Sequence, residues 1–303
     1  MAQTLKNTPE REEIKTVLAG DYSDEVGTRV VKIEDGTEEI GENAFRAFEH
    51  LEEIFIPSSV KKISAAAFSE CKNLKKVTLS AGLVEIQDEA FSACPSLTEI
   101  YIPDTCLRIG EGAFEGCASL GFVKLSDSLE MIGASAFAFC FNLREIYIPD
   151  SCILAEFCAF SSCFSLERVR LSENMRLIDE SLFEGCRSLT EIELPTRLVK
   201  LGRRAFKDCT SLSSVIMPEG LKSIGFDAFS GCSSLRRISI PKGLVELEDL
   251  DVFDSCDSLV EISFGGDRPK WEFLVGRGAL TIQHSDLSVS TPKVIFLDLK
   301  DEV

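Results

Sequence analysis

Histidine is scarce in this chain, and no nucleotide- or metal-binding motif accompanies it. The two histidines, His50 and His284, lie in different regions of the 303 residues. The chain contains no Gly-x-x-x-x-Gly-Lys-Ser/Thr, no Gly-x-Gly-x-x-Gly and no His-Glu-x-x-His. Because these residues supply neither a nucleophile–base pair nor a set of metal ligands, we expect no enzymatic activity, no cofactor and no metal site.

Basic side chains are also in short supply. Lys and Arg number 32 against 50 Asp and Glu, which gives a net charge of −18 and a pI near 4.6. A phosphate backbone requires a basic footprint, so nucleic acid is an unsuitable partner, and so is an anionic membrane surface. The charge fits the solubility of a long exposed surface, which we favour, and it also fits a basic partner.

Long apolar runs are absent. No stretch reaches the ~18 apolar residues of a membrane span, and no Asn-x-Ser/Thr glycosylation acceptor occurs. The first residues, MAQTLKNTPEREEIKTVLAG, lack the basic region and apolar run of a secretory signal peptide. We therefore expect no membrane insertion and a cytoplasmic protein. The cell surface or secretion is the alternative, since a removed signal would leave the same mature sequence.

What the chain does have is a repeat of 23 residues. It carries Leu-x-x-Ile-x-Ile, and a period of roughly 20–29 residues with this pattern is typical of a leucine-rich solenoid. Phenylalanine marks each copy: Phe45, Phe68, Phe91, Phe114, Phe137, Phe160, Phe183, Phe206 and Phe229, with Phe253 one residue late. Each unit of a solenoid contacts only its neighbours, so we expect one elongated repeat domain.

Cysteine follows the same period. Its column contains Cys71, Cys94, Cys117, Cys140, Cys163, Cys186, Cys209, Cys232 and Cys256. Neighbours should lie ~4.8 Å apart, which permits a disulfide, but each would have two equivalent neighbours and an odd column cannot pair fully. We interpret the column as buried free thiols, which suits a reducing compartment. Cys106 and Cys152 fall at core positions, whereas Cys158 is predicted to be exposed.

The residues of one copy have distinct predicted roles. Alternation at Ile54 and Ile56 predicts a short strand with both side chains buried. Val60 and Ile63 then point inward as the chain turns. The Ala-Phe pair and the downstream Cys predict one inward face of a short helical or 3-10 turn. Glycine often follows the second inward isoleucine, where a turn can use a positive φ: Gly41, Gly110, Gly133, Gly202 and Gly225.

The motif I-G-x-x-A-F-x-x-C-x-x-L-x-x-I-x-I-P recurs over about residues 30–264 and resembles the BspA-type leucine-rich repeat family. The resemblance implies an α/β solenoid: a leucine-rich repeat with 23-residue units, a parallel β-sheet on the concave face and short helical or 3-10 turns on the convex face. Members of this family are similar to interaction and adhesion modules, often at microbial surfaces.

Three segments are predicted: an N-terminal helical cap at 1–29, the solenoid at 30–264 and a C-terminal cap at 265–303. In the first, Thr-Pro-Glu at residues 8–10 is typical of a helix start, and Val17 would lie on the apolar face of that helix. The segment GGDRPKWEFLVGRGAL resembles the tryptophan-containing end of family members. There Trp271 is predicted to serve packing, and TPKVIFLDL predicts a strand.

The outward positions of the predicted strands carry the candidate site. Aromatic residues recur there every 46 residues, at Phe55, Tyr101 and Tyr147, and basic residues lie between them, at Lys76, Lys124, Arg168 and Arg170. Aromatic residues and Arg are enriched at binding hot spots, and repeat proteins bind partners on their concave faces. We therefore predict a partner-binding stripe. Duplication of a two-repeat block without a binding role is the alternative, because alternating charge also avoids like-charge ladders.

The sequence thus favours a non-enzymatic protein–protein interaction module that binds a protein partner on its concave face. The alternative is a secreted or surface adhesin that recognises host protein, an interpretation that fold analogy alone supports. Neither the identity of the partner nor the oligomeric state can be derived from the pattern.

Overall fold

The computed structural model describes residues 3–4, 16–17, 29–248, 250–276, 282–284 and 288–297. The chain winds as a solenoid of successive turns, here called rungs, whose strands form two columns. The first strand column comprises Gln3–Thr4, Val30–Lys32, Glu53–Ile56, Lys76–Leu79, Glu99–Tyr101, Phe122–Lys124, Glu145–Tyr147, Arg168–Arg170, Glu191–Glu193, Ser214–Ile216, Arg237–Ile240, Glu261–Phe264 and Lys293–Phe296. The second strand column comprises Thr16–Val17, Glu39–Ile40, Lys62–Ile63, Glu85–Ile86, Arg108–Ile109, Met131–Ile132, Leu154–Ala155, Leu177–Ile178, Lys200–Leu201, Ser223–Ile224 and Glu246–Leu247.

Neighbouring strands within each column run parallel. In the first column Ile54 faces Val77, and in the second Ile63 faces Ile86, each pair one repeat apart. The first column consists of a 6-stranded and a 7-stranded sheet, the second of a 7-stranded and a 4-stranded sheet. The predicted parallel strands are confirmed, and the two sheets of the second column are an addition that we did not predict.

A stack of phenylalanine rings runs through the core that both columns enclose. Phe45 and Phe68 lie with ring centroids 5.0 Å apart and planes 8° apart. The stack continues through every copy to Phe229 and Phe253, at 6.0 Å and 17°. All of these side chains are fully buried. Offset aromatic pairs contribute about 0.5–1.5 kcal/mol beyond the burial of their area, so the stack ties each rung to the next.

Each cysteine of the periodic column donates a hydrogen bond to the preceding rung. The Sγ of Cys71 lies 3.0 Å from the carbonyl oxygen of Phe45. The same contact recurs along the solenoid and ends with Cys256 and Phe229, at 3.1 Å. The thiol therefore satisfies a buried backbone acceptor in addition to filling space.

All 12 cysteines are free thiols. Burial raises the pKa of Cys117 and of Cys163 to about 12, so both thiols stay protonated and can donate. Cys106 and Cys152 are buried, as predicted. Cys158 is partly exposed, and its pKa is raised by partial burial and then by the nearby carboxylate of Glu184.

The segment that carries the phenylalanine, here called the turn segment, is a series of turns; around Phe45 it covers residues 42–50. The N–H of Phe45 donates to the carbonyl of Ala67 in the next rung at 2.7 Å, whereas the N–H groups on either side of it bond back within the turn. Asn43 and Ala47 have φ values of 55° and 58°, which no right-handed helix contains. Among the described rungs, the predicted 3-10 turn is present at Leu250–Phe253 only. The fold is therefore a leucine-rich repeat β-solenoid, and the α/β class is corrected.

Positive φ values recur at two positions of the turn segment, four residues apart. The first position holds Asn43, Ala66, Glu89, Gly112, Ser135, Cys158, Ser181, Arg204 and Asp227. The second holds Ala47, Glu70, Ala93, Gly116, Phe139, Ser162, Gly185, Asp208, Gly231 and Ser255. Left-handed backbone costs an L-residue roughly 1–2 kcal/mol. At these positions from Asn43 to Asp208 the N–H group also bonds to the next rung, as from Ala66 to the carbonyl of Asp88 at 2.9 Å, which offsets the cost.

The glycines that follow the inward isoleucine serve a different purpose from the one predicted. Gly41, Gly110, Gly133, Gly202 and Gly225 are not among the residues with positive φ. A Cβ at Gly133 would lie 2.6 Å from the carbonyl carbon of Gly110 in the preceding rung. A Cβ at Gly110, Gly202 or Gly225 would also lie within 2.7 Å of backbone atoms of the preceding rung, so close packing is the reason for glycine at these four positions.

The N-terminal segment continues the solenoid where it is described. Val17 lies in a strand and faces Ile40, exactly one repeat later. The predicted helix with Val17 on its apolar face is therefore wrong at Thr16–Val17, and the rest of that predicted helix lies outside the described residues. The spacing of Val17 from Ile40 was a readable signal of another strand.

An α-helix and a final strand close the C-terminal end. The helix Arg268–Leu274 begins at Asp267, whose Oδ1 accepts the N–H of Lys270 at 3.0 Å. Trp271 is buried against Phe264 with ring centroids 5.3 Å apart, so its predicted packing role is confirmed. Lys293–Phe296 adds a parallel strand to Glu261–Phe264, and a hairpin of Ile282–Gln283 and Val289–Ser290 lies beside them in the chain. Across these described ranges, no helix has the length and apolar character needed to cross a membrane.

Candidate functional site

The first strand column buries one side chain and exposes the next. In Glu145–Tyr147 the middle residue, Ile146, is buried, while Glu145 and Tyr147 are exposed. This follows from the two-residue period of an extended strand. The outward side chains of successive strands therefore form one face, which passes from the 6-stranded to the 7-stranded sheet between Phe122–Lys124 and Glu145–Tyr147.

The structure places all seven predicted site residues on this outer face. Tyr101 and Tyr147 are 52% and 63% exposed. Lys76, Lys124 and Arg168 are also exposed. The remaining two, Phe55 and Arg170, are half-buried.

A groove with a volume of about 1010 Å³ occupies part of this face, over strands from Phe122–Lys124 to Ser214–Ile216. We call it the sheet groove. Of the predicted residues it brings together Lys124, Tyr147, Arg168 and Arg170. It leaves out Phe55, Lys76 and Tyr101, so the predicted stripe is only partly one site.

The 46-residue period seen in the sequence reappears in the contacts of the groove. Lys124 Nζ lies 2.9 Å from Asp104 Oδ1, and Arg170 Nη2 lies 3.1 Å from Asp150 Oδ2. In both cases the carboxylate comes from the turn after the preceding strand, 20 residues earlier. It also accepts a backbone N–H from the next rung, at 3.2 Å for Asp104 and 3.0 Å for Asp150.

These hydrogen bonds stabilise the charged carboxylates. The hydrogen bond from Lys124 is the main cause of a lowered pKa at Asp104. At Asp150 the backbone N–H of Glu173 lowers the pKa most, and Arg170 lowers it further. Both aspartates thus remain ionised and keep the two basic side chains in place.

The third basic side chain of the groove is also paired. Arg168 Nη2 lies 2.9 Å from Glu145 Oε2 on the neighbouring strand, where the two residues face each other in register. Their hydrogen bond raises the pKa of Arg168. Every cation that was predicted in the groove therefore has a carboxylate partner.

Aromatic side chains extend from the groove towards its edge. The guanidinium of Arg170 lies 4.5 Å from the ring centroid of Tyr147, a cation–π distance. Tyr101 contacts Phe122 with ring centroids 5.4 Å apart. Since Phe122 lines the groove, this contact joins Tyr101 to its rim.

Some groove residues were missed by the sequence prediction: Phe122, Glu191, Glu193 and Ile216. Each occupies an outward position of its strand, so the alternation that located the stripe also located them. They were passed over because the prediction relied on the 46-residue recurrence of aromatic residues, which these four do not share.

A second exposed aromatic cluster lies on the turn segment. Phe141 stacks on Phe164 at 4.9 Å, and the guanidinium of Arg187 covers Phe164 at 4.5 Å. Phe139 meets Phe141 edge-on at 6.3 Å. This cluster belongs to a different face of the rung from the sheet groove.

The sequence of this solenoid, with its two parallel strand columns and 23-residue register, also matches a family model directly. Residues 38–167 and 155–270 match the model of the BspA type leucine rich repeat region, in 6 copies. The chain belongs to the BspA-type leucine-rich repeat family. No curated protein shows a significant sequence match to it.

Three solved structures show the same fold. A leucine rich cell surface protein from Faecalibacterium prausnitzii A2-165 is 24% identical, with a TM-score of 0.55 over 92% of this chain and 91% of the other. A leucine-rich repeat protein from Bacteroides ovatus ATCC 8483 is 19% identical, with a TM-score of 0.51 over 97% and 98%. The pneumococcal vaccine antigen PcpA is 21% identical, with a TM-score of 0.55 over 79% and 73%.

Proposed function

We propose that this BspA-type protein is a non-enzymatic interaction module that binds a protein partner on the outer face of its first strand column. The sheet groove is the observation that supports this proposal. It places Phe122 and the well-exposed Tyr147 on neighbouring strands, each of which is hydrogen-bonded into its own sheet. Aromatic anchors on a rigid support lose little freedom on binding, and this favours affinity.

Affinity capture with two matched variants tests this proposal. The groove variant Tyr101→Ser/Tyr147→Ser removes two exposed rings without changing the net charge. The control Phe139→Ser/Phe157→Ser removes two rings that are 43% and 50% exposed on the turn segment. We expect the groove variant to lose at least about tenfold in affinity for the captured protein, the equivalent of ~1.4 kcal/mol, and the control to match the wild type. Loss in the control alone would place binding on the turn segment.

We further propose that the protein acts at the cell surface, as an adhesin does. The names of two structural relatives support this: one is a cell surface protein and the other a vaccine antigen. The cytoplasmic location expected from the N-terminal residues finds no such support. Antibody labelling of intact cells from the native source should give a signal equal to that of permeabilised cells. A signal that requires permeabilisation would contradict surface display.

A further inference from the structure

The sheet groove carries an excess of negative charge despite its three basic residues. Its lining contains three basic side chains and seven carboxylates. Each basic side chain is already bound to a carboxylate, at 2.9 to 3.1 Å. An anionic partner would therefore have to displace an existing ion pair, whereas a cationic partner meets carboxylates in excess.

Two of these carboxylates are unengaged. Glu191 and Glu193 project from the outer face of one strand, and both are exposed. Across the residues that the structure describes, no ion pair or hydrogen bond involves either side chain. Arg170 faces Glu193 across the strand pair, but its guanidinium is held by Asp150 and by the ring of Tyr147. The two side chains are ~6.6 Å apart along the strand, the spacing of alternate residues in an extended chain.

Apolar side chains lie directly beside these carboxylates. Ile216 faces Glu193 in register and is 77% exposed, the largest exposed fraction among the apolar residues of the groove. Tyr147 lies in the strand Glu145–Tyr147, on the other side of Arg168–Arg170. An apolar contact next to a free carboxylate suits a side chain with an apolar stem and a cationic end, as in Lys and Arg.

We propose that the sheet groove binds an extended basic segment of a partner protein, in which Lys or Arg and apolar side chains face the groove in turn. The cationic ends bind Glu191 and Glu193, and the apolar side chains contact Ile216 and Tyr147. The five strands of the groove span about 19 Å at ~4.8 Å per strand, which is the length of roughly six extended residues. The net charge of −18 attracts such a segment from a distance. This inference rests on the proposed function and names the chemistry of its partner.

Blocked heptapeptides provide the test. The cationic probe is Arg-Ser-Leu-Ser-Arg-Ser-Leu, whose Arg and Leu side chains face the same side of an extended chain. A second peptide has Glu in place of Arg, and a third has Ser in place of Leu. Calorimetry or fluorescence anisotropy should give the cationic probe at least about tenfold higher affinity than the anionic one, and the affinity should fall as NaCl rises from 50 to 300 mM. The third peptide should bind more weakly than the first because it lacks the apolar contact.

Isosteric variants locate the binding. We expect Glu191→Gln/Glu193→Gln to weaken the cationic probe about tenfold, since two exposed ion pairs are lost. The control Glu111→Gln/Glu130→Gln changes the net charge equally at exposed positions outside the groove lining and should stay within about twofold of the wild type. Equal affinity of Glu191→Gln/Glu193→Gln and the wild type for the cationic probe would overturn the proposal, and so would equal binding of the anionic peptide.

The outcomes also separate this inference from the proposed function. If Tyr101→Ser/Tyr147→Ser abolishes partner capture while the cationic probe fails to bind the wild type, the groove is a binding face for a partner of other chemistry. The basic-segment proposal then falls and the interaction module remains. If capture is unaffected by the tyrosine variant, the groove is not the binding face, and both fall.

Discussion

At the scale of the residue, the cysteine column combines two roles that are usually separate. Each thiol fills core volume, and each also donates its S–H to a phenylalanine carbonyl of the rung before it. Serine would make a similar hydrogen bond but would bury a more polar group, and alanine would leave the carbonyl without this donor. Cysteine satisfies both requirements, which accounts for its recurrence better than volume alone.

Thiol reactivity should single out Cys158. It is the partly exposed cysteine, and burial together with Glu184 raises its pKa. Native protein treated with iodoacetamide should therefore take up one label, slowly at pH 8 and faster as the pH rises and the thiolate forms. Mass spectrometry should place that label on Cys158, and all 12 cysteines should react in guanidinium.

The control for this prediction is Cys158→Ser. Serine already occupies the same turn position in the neighbouring rungs, at Ser135 and Ser181. The variant should leave the native protein unlabelled. Labelling of the periodic column under native conditions would show that these thiols are accessible and would contradict their burial.

The sequence predicted correctly which side chains are buried, but it did not predict which charged side chains form ion pairs. Alternation correctly separated inward Ile146 from outward Tyr147. It could not show that Lys124 is bound by Asp104, because this contact joins a strand to the turn of the rung before it. The basic stripe therefore looked free in the sequence, whereas it is neutralised in the structure.

At the scale of the element, the turn segment differs from its prediction. The sequence favoured a short helical or 3-10 turn there, and among the described rungs only Leu250–Phe253 forms one. The residue types of the turn segment permit a helical turn, but its backbone N–H groups bond alternately to the next rung and within the turn. That alternation requires positive φ at two positions of each rung. Alanine, glutamate, serine and even Phe139 occupy them, so the positions of glycine do not predict this left-handed conformation.

The second strand column was missed for a related reason. Each of its strands is two residues long, with one inward side chain such as Ile40 or Ile63. A two-residue period cannot be recognised in two residues. Only the stacking of rungs, which provides the parallel hydrogen bonds, makes these segments strands.

Two neighbouring turns offer a matched test of the positive φ. Gly116 has a φ of 70°, and a Cβ there would be 3.8 Å from Ala93 Cα, an ordinary contact. Gly116→Ala should thus lower the free energy of unfolding by about 1 kcal/mol from backbone strain alone. Ala93→Gly, at φ 53° one rung earlier, should raise it by up to about 1 kcal/mol, because strain relief exceeds the entropy that glycine adds.

Urea denaturation monitored by circular dichroism measures both variants. The opposite signs serve as mutual controls, since an unrelated effect of altered composition would not reverse between the two exchanges. Equal stability of Gly116→Ala and wild type would show that the left-handed position carries no cost.

At the scale of the whole molecule, the repeat allows the number of rungs to change with little effect on the packing of those that remain. Rungs contact only their neighbours, and the core, the phenylalanine stack and both strand columns share the same 23-residue register. Removing one complete rung should therefore rejoin compatible surfaces, while removing part of one should not.

Deletion of residues 65–87 removes one complete rung and lies outside the sheet groove. We expect this variant to keep the β-type circular dichroism spectrum, to melt cooperatively a few degrees below the wild type, and to bind the cationic probe unchanged. Deletion of residues 65–76, which breaks the register, should give a protein without a cooperative transition. Equally cooperative melting of both deletions would contradict a stability that depends on register.

The packing of Trp271 on Phe264 has a spectroscopic consequence. It is the single tryptophan of the chain, and it packs at the C-terminal end of the solenoid on Phe264, two rungs beyond the last strand of the sheet groove. Its emission therefore monitors the opening of that end alone, while far-ultraviolet dichroism averages over every rung. Comparing the two signals during denaturation would reveal whether the protein unravels from this terminus or loses all its rungs together.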